Sequence, residues 1–188
     1  VFSALRHGTL VDQSILILSL FGVSIPNFWL GPLLIIFFSL KLNLLPVSGR
    51  EGLLSFVLPA LTLGLGMAAI LLRITRASVI EIVRKEYILT ARAKGLLERT
   101  VILKHLFRNA LIPLITVLGL QFGALLTGAI ITETIFSWPG LGRLTISAIY
   151  TRDYPLVQGC VLAIAFTYLL VSLLVDILYA IADPRVRY

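Results

Sequence analysis

An all-α, polytopic membrane bundle is what the sequence predicts, and three observations carry that reading. Of the 188 residues, 59% are hydrophobic and 13% charged, about half the charged share of a soluble domain. The mean hydropathy of +1.02 implies more apolar surface than a water-soluble core of this size hides. The apolar residues also gather into four stretches, each near the ~20 residues that cross a bilayer.

Backbone polar groups in lipid are satisfied within their own segment, so each stretch is expected to be helical. The first runs from about Ile15 to Leu40. Pro26, Gly31 and Pro32 lie inside it, and proline removes a donor and clashes with the preceding turn, so a kink is expected over Pro26 to Pro32. Asn27 and Trp29 fall at that kink. Two readings stand for Asn27: satisfied by a neighbouring helix, or lining a transport path. The second span is expected from about Leu53 to Leu72, the third from Leu111 to Ile131 and the fourth from Leu156 to Ala180. Gly64 and Gly66 in the second, and Gly119 and Gly123 in the third, suit close helix approach. Gln121 and Thr127 are candidates for the path, a placing that periodicity does not decide.

The net charge of +7 fits basic cytoplasmic loops rather than nucleic-acid binding. Arg73, Arg76, Arg84, Lys85, Arg92, Lys94, Arg99, Lys104 and Arg108 crowd between the second and third spans, whereas the other two loops carry two basic residues each. That segment is expected inside, which with Arg6, Arg185 and Arg187 gives an N-in, C-in arrangement. The outer loop from Thr132 to Pro155 holds a Trp138-Pro139-Gly140 turn and then Leu141, Leu144, Ala148 and Ile149 at helical spacing. A short interfacial helix over about 141–150 is expected there, with Trp138, Tyr150 and Tyr154 at the membrane surface. Glu133, beside this loop, is expected either to pair with Arg143 or Arg152 or to meet substrate or an external protein. Asp12 is expected to favour the start of the first helix, and Asp176, inside the last apolar run, needs a partner, with an ion pair as the main reading. The chain reads as one domain, 1–188, that begins inside a longer protein.

The internal loop, about 78–108, is too polar to cross the bilayer and too rich in helix formers to be disordered. Ser78 and Glu81 could cap a helix, and Glu81 and Lys85 form a favourable pair four apart. Glu86, Tyr87, Thr90, Ala91, Arg92, Ala93, Lys94, Gly95 and Leu96 make the candidate partner-docking segment. Small side chains let a helix lie close to another surface, and Gly95 ends or bends it. The plain alternative is a basic loop folded on lipid headgroups. A second basic helix, about Glu98 to Asn109, leads into the third span.

The strings from Glu86 to Leu96 and from Arg108 to Pro113 resemble the cytoplasmic loop of binding-protein-dependent ABC importer permeases. More narrowly, they resemble the B-type permease subunit of the dipeptide, oligopeptide and nickel group. Glu133 to Leu144, Asp183 to Tyr188 and Leu45 to Gly49 extend the resemblance over nearly the whole chain. Where the wider family has Glu-Ala-Ala before the loop glycine this chain has Leu89-Thr90-Ala91, and Arg108 stands in a proline's place.

The resemblance implies a type I ABC importer (MetI-like) permease fold with about six spans, so the first two are expected upstream of Val1. It implies a loop helix docked on cytoplasmic ATPase subunits. It also implies a second, different permease subunit and an external binding protein that delivers peptides, nickel complexes or glutathione-like compounds. No phosphate-binding Gly-Lys-Ser/Thr loop occurs, so ATP and Mg are expected on partner subunits and no cofactor on this chain. The Gly64 to Ala69 run lacks the preceding strand of a dinucleotide site. His7 and His105 are too far apart to suggest a metal site, and Cys160 reads as a small buried hydrophobe. An ion-coupled transporter would need functional acids at mid-depth, for which Asp176 is the single candidate. An intramembrane enzyme would need a nucleophile–base pair that is absent.

Overall fold

The computed structural model describes residues 2–5, 8–50 and 52–182. His7, the terminal basic residues Arg6, Arg185 and Arg187, and the Asp183–Tyr188 motif lie outside the described residues. The described residues form helices α1 (Phe2–Leu5), α2 (Leu10–Ser24), α3 (Asn27–Leu34), α4 (Val57–Val83), α5 (Glu86–Ala93), α6 (Glu98–Thr100), α7 (Phe107–Ile135), α8 (Leu141–Tyr150) and α9 (Tyr154–Ala182), with no strand among them. Short wide-turned π segments follow α3 (Ile35–Lys41) and precede α7 (Val101–Leu106).

Among the described residues, three rods are long and apolar enough to cross a membrane: Leu53–Val83, Glu98–Ile135 and Tyr154–Ile181. The stretch expected as one kinked span over 15–40 is instead two arms, Leu10–Ser24 and Asn27–Lys41, that meet at 101°. Proline explains where the break falls. Pro26 has no N–H, and a residue before proline is pushed out of the helical region, so Ile25 is extended (φ −88°, ψ 115°). Pro32 lies inside α3 without ending it. Each arm is roughly 22 Å long at 1.5 Å per residue, short of a ~30 Å hydrocarbon core. Joined, they run from one end of the bundle to the other. Asp12 of α2 meets Arg76 near the end of α4, while Gly31 of α3 lies against Ile135 and Phe136 at the end of α7.

α4 and α7 pack most extensively and form the central pair; α2 and α3 lie along α4, and α8 and α9 along α7. Glycine sets two of these approaches. A β-carbon on Gly22 would stand 2.9 Å from the Ala69 Cβ, and one on Gly119 would stand 2.9 Å from the Val175 Cγ1. Gly64, by contrast, faces open space and makes no close approach. The outward surfaces are apolar: Leu10, Leu120, Leu162 and Ile181 are each about 70–80% exposed, as lipid-facing residues are.

Two helix boundaries differ from the expected ones. Ser78 sits inside α4, which continues to Val83, so it caps nothing. The basic helix begins at Glu98 as expected but does not end near Asn109, since α6, the π segment and α7 run on as one 38-residue rod to Ile135.

Candidate functional site

At one end of the bundle a small core joins α1, α4, α5 and the root of α7: Ala4, Val79, Ile82, Ile88, Ala91, Val101, Leu106 and Ala110. Ile88 and Ala91 are three apart, hence on one helical face, and both are buried there. This corrects Ala91: it packs inward and leaves the outward face to Tyr87, Leu89, Thr90, Ala93 and Lys94, which are exposed along with Glu86. Gly95 follows with φ +72°, a left-handed angle that a β-carbon disfavours, and nothing lies within 4 Å of where that carbon would be. Its contribution is conformational rather than a matter of bulk. Arg92 pairs with Glu98 across the turn, and exposed Leu96 and Leu97 complete the tip. Lys85 and Glu81 pair at 3.1 Å.

Beside this core lies a pair that the sequence order conceals. Arg76 donates from Nε to Asp12 Oδ1 and from Nη2 to Asp12 Oδ2, both at 2.7 Å. Ser3 Oγ and the Gly8 N–H also donate to the carboxylate. Asp12 therefore binds α2 to α4 as well as standing in the first turn of its helix.

The second site lies at mid-depth. A cavity of about 300 Å³ opens where α2 breaks into α3, lined by Ile25, Pro26, Asn27, Met67, Gln121 and Leu125 among others. The structure thus brings Asn27 and Gln121, two of the path candidates, to one cavity. Gln121 is only 7% exposed, and neither its Oε1 nor its Nε2 has a hydrogen-bond partner. An unsatisfied buried polar group costs about 1–3 kcal/mol, and Gln121 has two. Trp29 lies outside this cavity and is 54% exposed.

Glu133 also stands elsewhere. Its Oε2 accepts the backbone N–H of Arg143 at 2.9 Å and caps α8. The Arg143 guanidinium donates instead to the Ser137 carbonyl at 2.7 Å, so the expected pairing is with the Arg143 backbone, not its charge. A β-carbon on Gly140 would overlap the Glu133 carboxylate. α8 turns Gly142, Thr145 and Ala148 inward and leaves Leu141, Leu144 and Ile149 outward, so the four apolar residues at helical spacing divide between its two faces. Trp138 lies edge-on to Phe56 with centroids 4.5 Å apart, and Arg50 stands 5.9 Å from the Trp138 ring centroid. Asp176 is exposed on α9, and no described cation pairs with it. Cys160 is free and buried. No cluster of three metal-ligating side chains occurs among the described residues.

Apolar rods around a largely apolar cavity that holds two amide side chains, with a basic helical foot at one end, define an integral membrane protein. The chain belongs to the family of binding-protein-dependent transport system inner membrane components, which matches residues 1–188. It is 45% identical over 216 residues to the di/tripeptide transport system permease protein DppB of Pseudomonas aeruginosa, covering all of this chain and 64% of that one. It is 43% identical over 219 residues to the dipeptide transport system permease protein DppB of Escherichia coli K12, covering all of this chain and 65% of that protein. It is 46% identical over 188 residues to the glutathione transport system permease protein GsiC of Pectobacterium atrosepticum, covering all of this chain and 61% of that one. The chain thus spans just under two thirds of the length of these relatives.

Proposed function

We propose that the protein is the transmembrane permease subunit of an ATP-driven importer, forming the translocation path for short peptides delivered by an external binding protein. The observation that carries this is the two-sided α5. Its inner face is locked by Ile88 and Ala91 into the roots of α4 and α7, and its outer face presents Tyr87, Leu89, Thr90 and Lys94. A helix so held passes a push from a docked partner to both central rods. Its partners are two cytoplasmic ATPase subunits, which bind ATP and Mg, and a second permease subunit. The chain itself carries no catalytic residue and no cofactor. The basic foot faces the cytoplasm and α8 the outer surface, an N-in, C-in fold for this segment.

Peptides are the substrate class that the names of the dipeptide and di/tripeptide relatives support. Glutathione is the second reading, favoured by a relative that aligns over 188 positions, the length of this chain. In full-length protein carrying Cys160→Ala, a cysteine at Thr90 is expected to crosslink to the ATPase subunit. A cysteine at Thr151 is expected to react with an impermeant maleimide from outside. Labelling of the Thr90 cysteine from outside intact cells, or a complex that purifies without an ATPase, overturns the reading.

A further inference from the structure

We propose that the cavity at the α2–α3 break is a subsite for an uncharged amide, the peptide unit of the passing substrate, with Gln121 as the residue that reads it. The inference rests on the peptide-import reading and names where on this chain the substrate is recognised.

Three independent features meet there. The first is depth. Gln121 is the middle residue of α7, fourteen from Phe107 and fourteen from Ile135, where an amide has no water to fall back on. The second is Gln121's own state: it is more than nine-tenths buried, lines the cavity, and neither its donor nor its acceptor is used within the chain. The third is the break itself. α3 begins at the cavity with no side chain capping its first N–H groups, and Asn27 adds a second amide.

The chemistry selects the ligand. A carboxamide offers a donor and an acceptor in one plane, the complement of a peptide C=O and N–H. None of the residues lining the cavity is titratable, so a charged terminus of the substrate would be left uncompensated there. A volume of about 300 Å³ is at the small end of ligand pockets, enough for a peptide unit with a small side chain. Both Gln121 amide atoms are closed to a water-sized probe in this arrangement, the cavity included, so a ligand in the cavity meets them only when the side chain turns toward it.

The test uses the full-length permease in its assembled complex, in proteoliposomes with its binding protein. Uptake of dialanine is compared with uptake of alanyl-lactate, in which an ester oxygen replaces the peptide N–H. Each variant is scored by the ratio of the two, so that selection by the binding protein cancels. Gln121→Met is expected to lower dialanine uptake about tenfold and to shrink the wild-type preference for the amide, because a site built to hydrogen-bond discriminates against a ligand lacking the group. Gln121→Asn, which keeps the amide one methylene further back, is expected to retain part of the preference, and it carries the test if Gln121→Met fails to assemble. Equal losses for both probes in both variants, the behaviour of a residue that only holds water or packing, overturn the inference while leaving peptide import standing. A wild-type complex that carries neither probe overturns both.

Discussion

The Arg76 guanidinium grips the Asp12 carboxylate with two bonds of 2.7 Å, across 64 residues of sequence. Only 2% of the Asp12 side chain and 18% of the Arg76 side chain are exposed. Removing one member of such a pair leaves its partner buried and uncompensated, whereas replacing both with apolar groups is often tolerated. Arg76→Ala is therefore expected to lower the melting temperature of the purified permease by roughly 5 °C or more. The double variant Asp12→Leu, Arg76→Met is expected to recover most of that loss. Arg76→Lys, which cannot bond bidentately, should fall between them. A double variant as unstable as Arg76→Ala would show that the pair is not the source of the effect.

On α5, neighbouring positions should respond in opposite ways. Ile88 is fully buried and Leu89 is 55% exposed. An aspartate at Ile88 puts a charge into an apolar core and should remove the protein from the membrane fraction. An aspartate at Leu89 should leave abundance unchanged and abolish co-purification with the ATPase. Immunoblots of membranes and of the affinity-purified complex distinguish the two.

At Gly95 the left-handed backbone angle, not space, limits substitution. Gly95→Ala carries a strain of about 1–2 kcal/mol, whereas Gly95→Asn, which tolerates that angle, should behave nearly as wild type. A complex carrying Gly95→Trp, whose ring would stand between the tip and the docked ATPase, should hydrolyse ATP while importing little. The ratio of peptide imported to ATP consumed measures the effect, and full uptake by Gly95→Trp would refute it.

The glycines of the spans divide into two kinds. Gly22→Ala meets Ala69 at 2.9 Å and the Leu65 carbonyl oxygen at 3.3 Å, so α2 has to move away from α4. Gly64→Ala meets nothing within 4 Å and should gain up to about 1 kcal/mol from helix propensity alone. Thermal unfolding in detergent should show a lowered midpoint for the first and an unchanged or raised one for the second.

At the far end of the bundle, Glu133→Ala removes the acceptor at the start of α8 and should cost about 1 kcal/mol. Glu133→Gln keeps an acceptor and should cost less. Gly140→Ala should be the most disruptive of the three, since its β-carbon would occupy the carboxylate's place. The same unfolding assay ranks them.

The helices were legible because bilayer-length apolar runs leave few alternatives, and the place of the break was legible because Pro26 restricts both itself and Ile25. Its 101° angle was not, because proline fixes where a helix stops while neighbouring rods fix where the next one goes. The Asp12–Arg76 bond was hidden because no local periodicity links positions 64 apart. The inward turn of Ala91 was hidden for a further reason. On a short helix, small residues are drawn to whichever side a neighbour approaches most closely, and sequence spacing does not say which side that is. Gln121 was readable as a polar residue in an apolar span, but its lack of any partner appears only once the surrounding side chains are placed.

The anchored foot has a mechanical corollary. From Arg76 to Val57 the α4 rod measures roughly 29 Å, so a tilt of about 5° at its base sweeps its head by roughly 2.5 Å. The proline elbow between α2 and α3 sits part-way along that arc, against Gly66 and Met67. At the elbow, about 15 Å from the base, the same tilt moves the rod by roughly 1.3 Å, so a stroke too small to disturb the clasp still widens or pinches a chamber there.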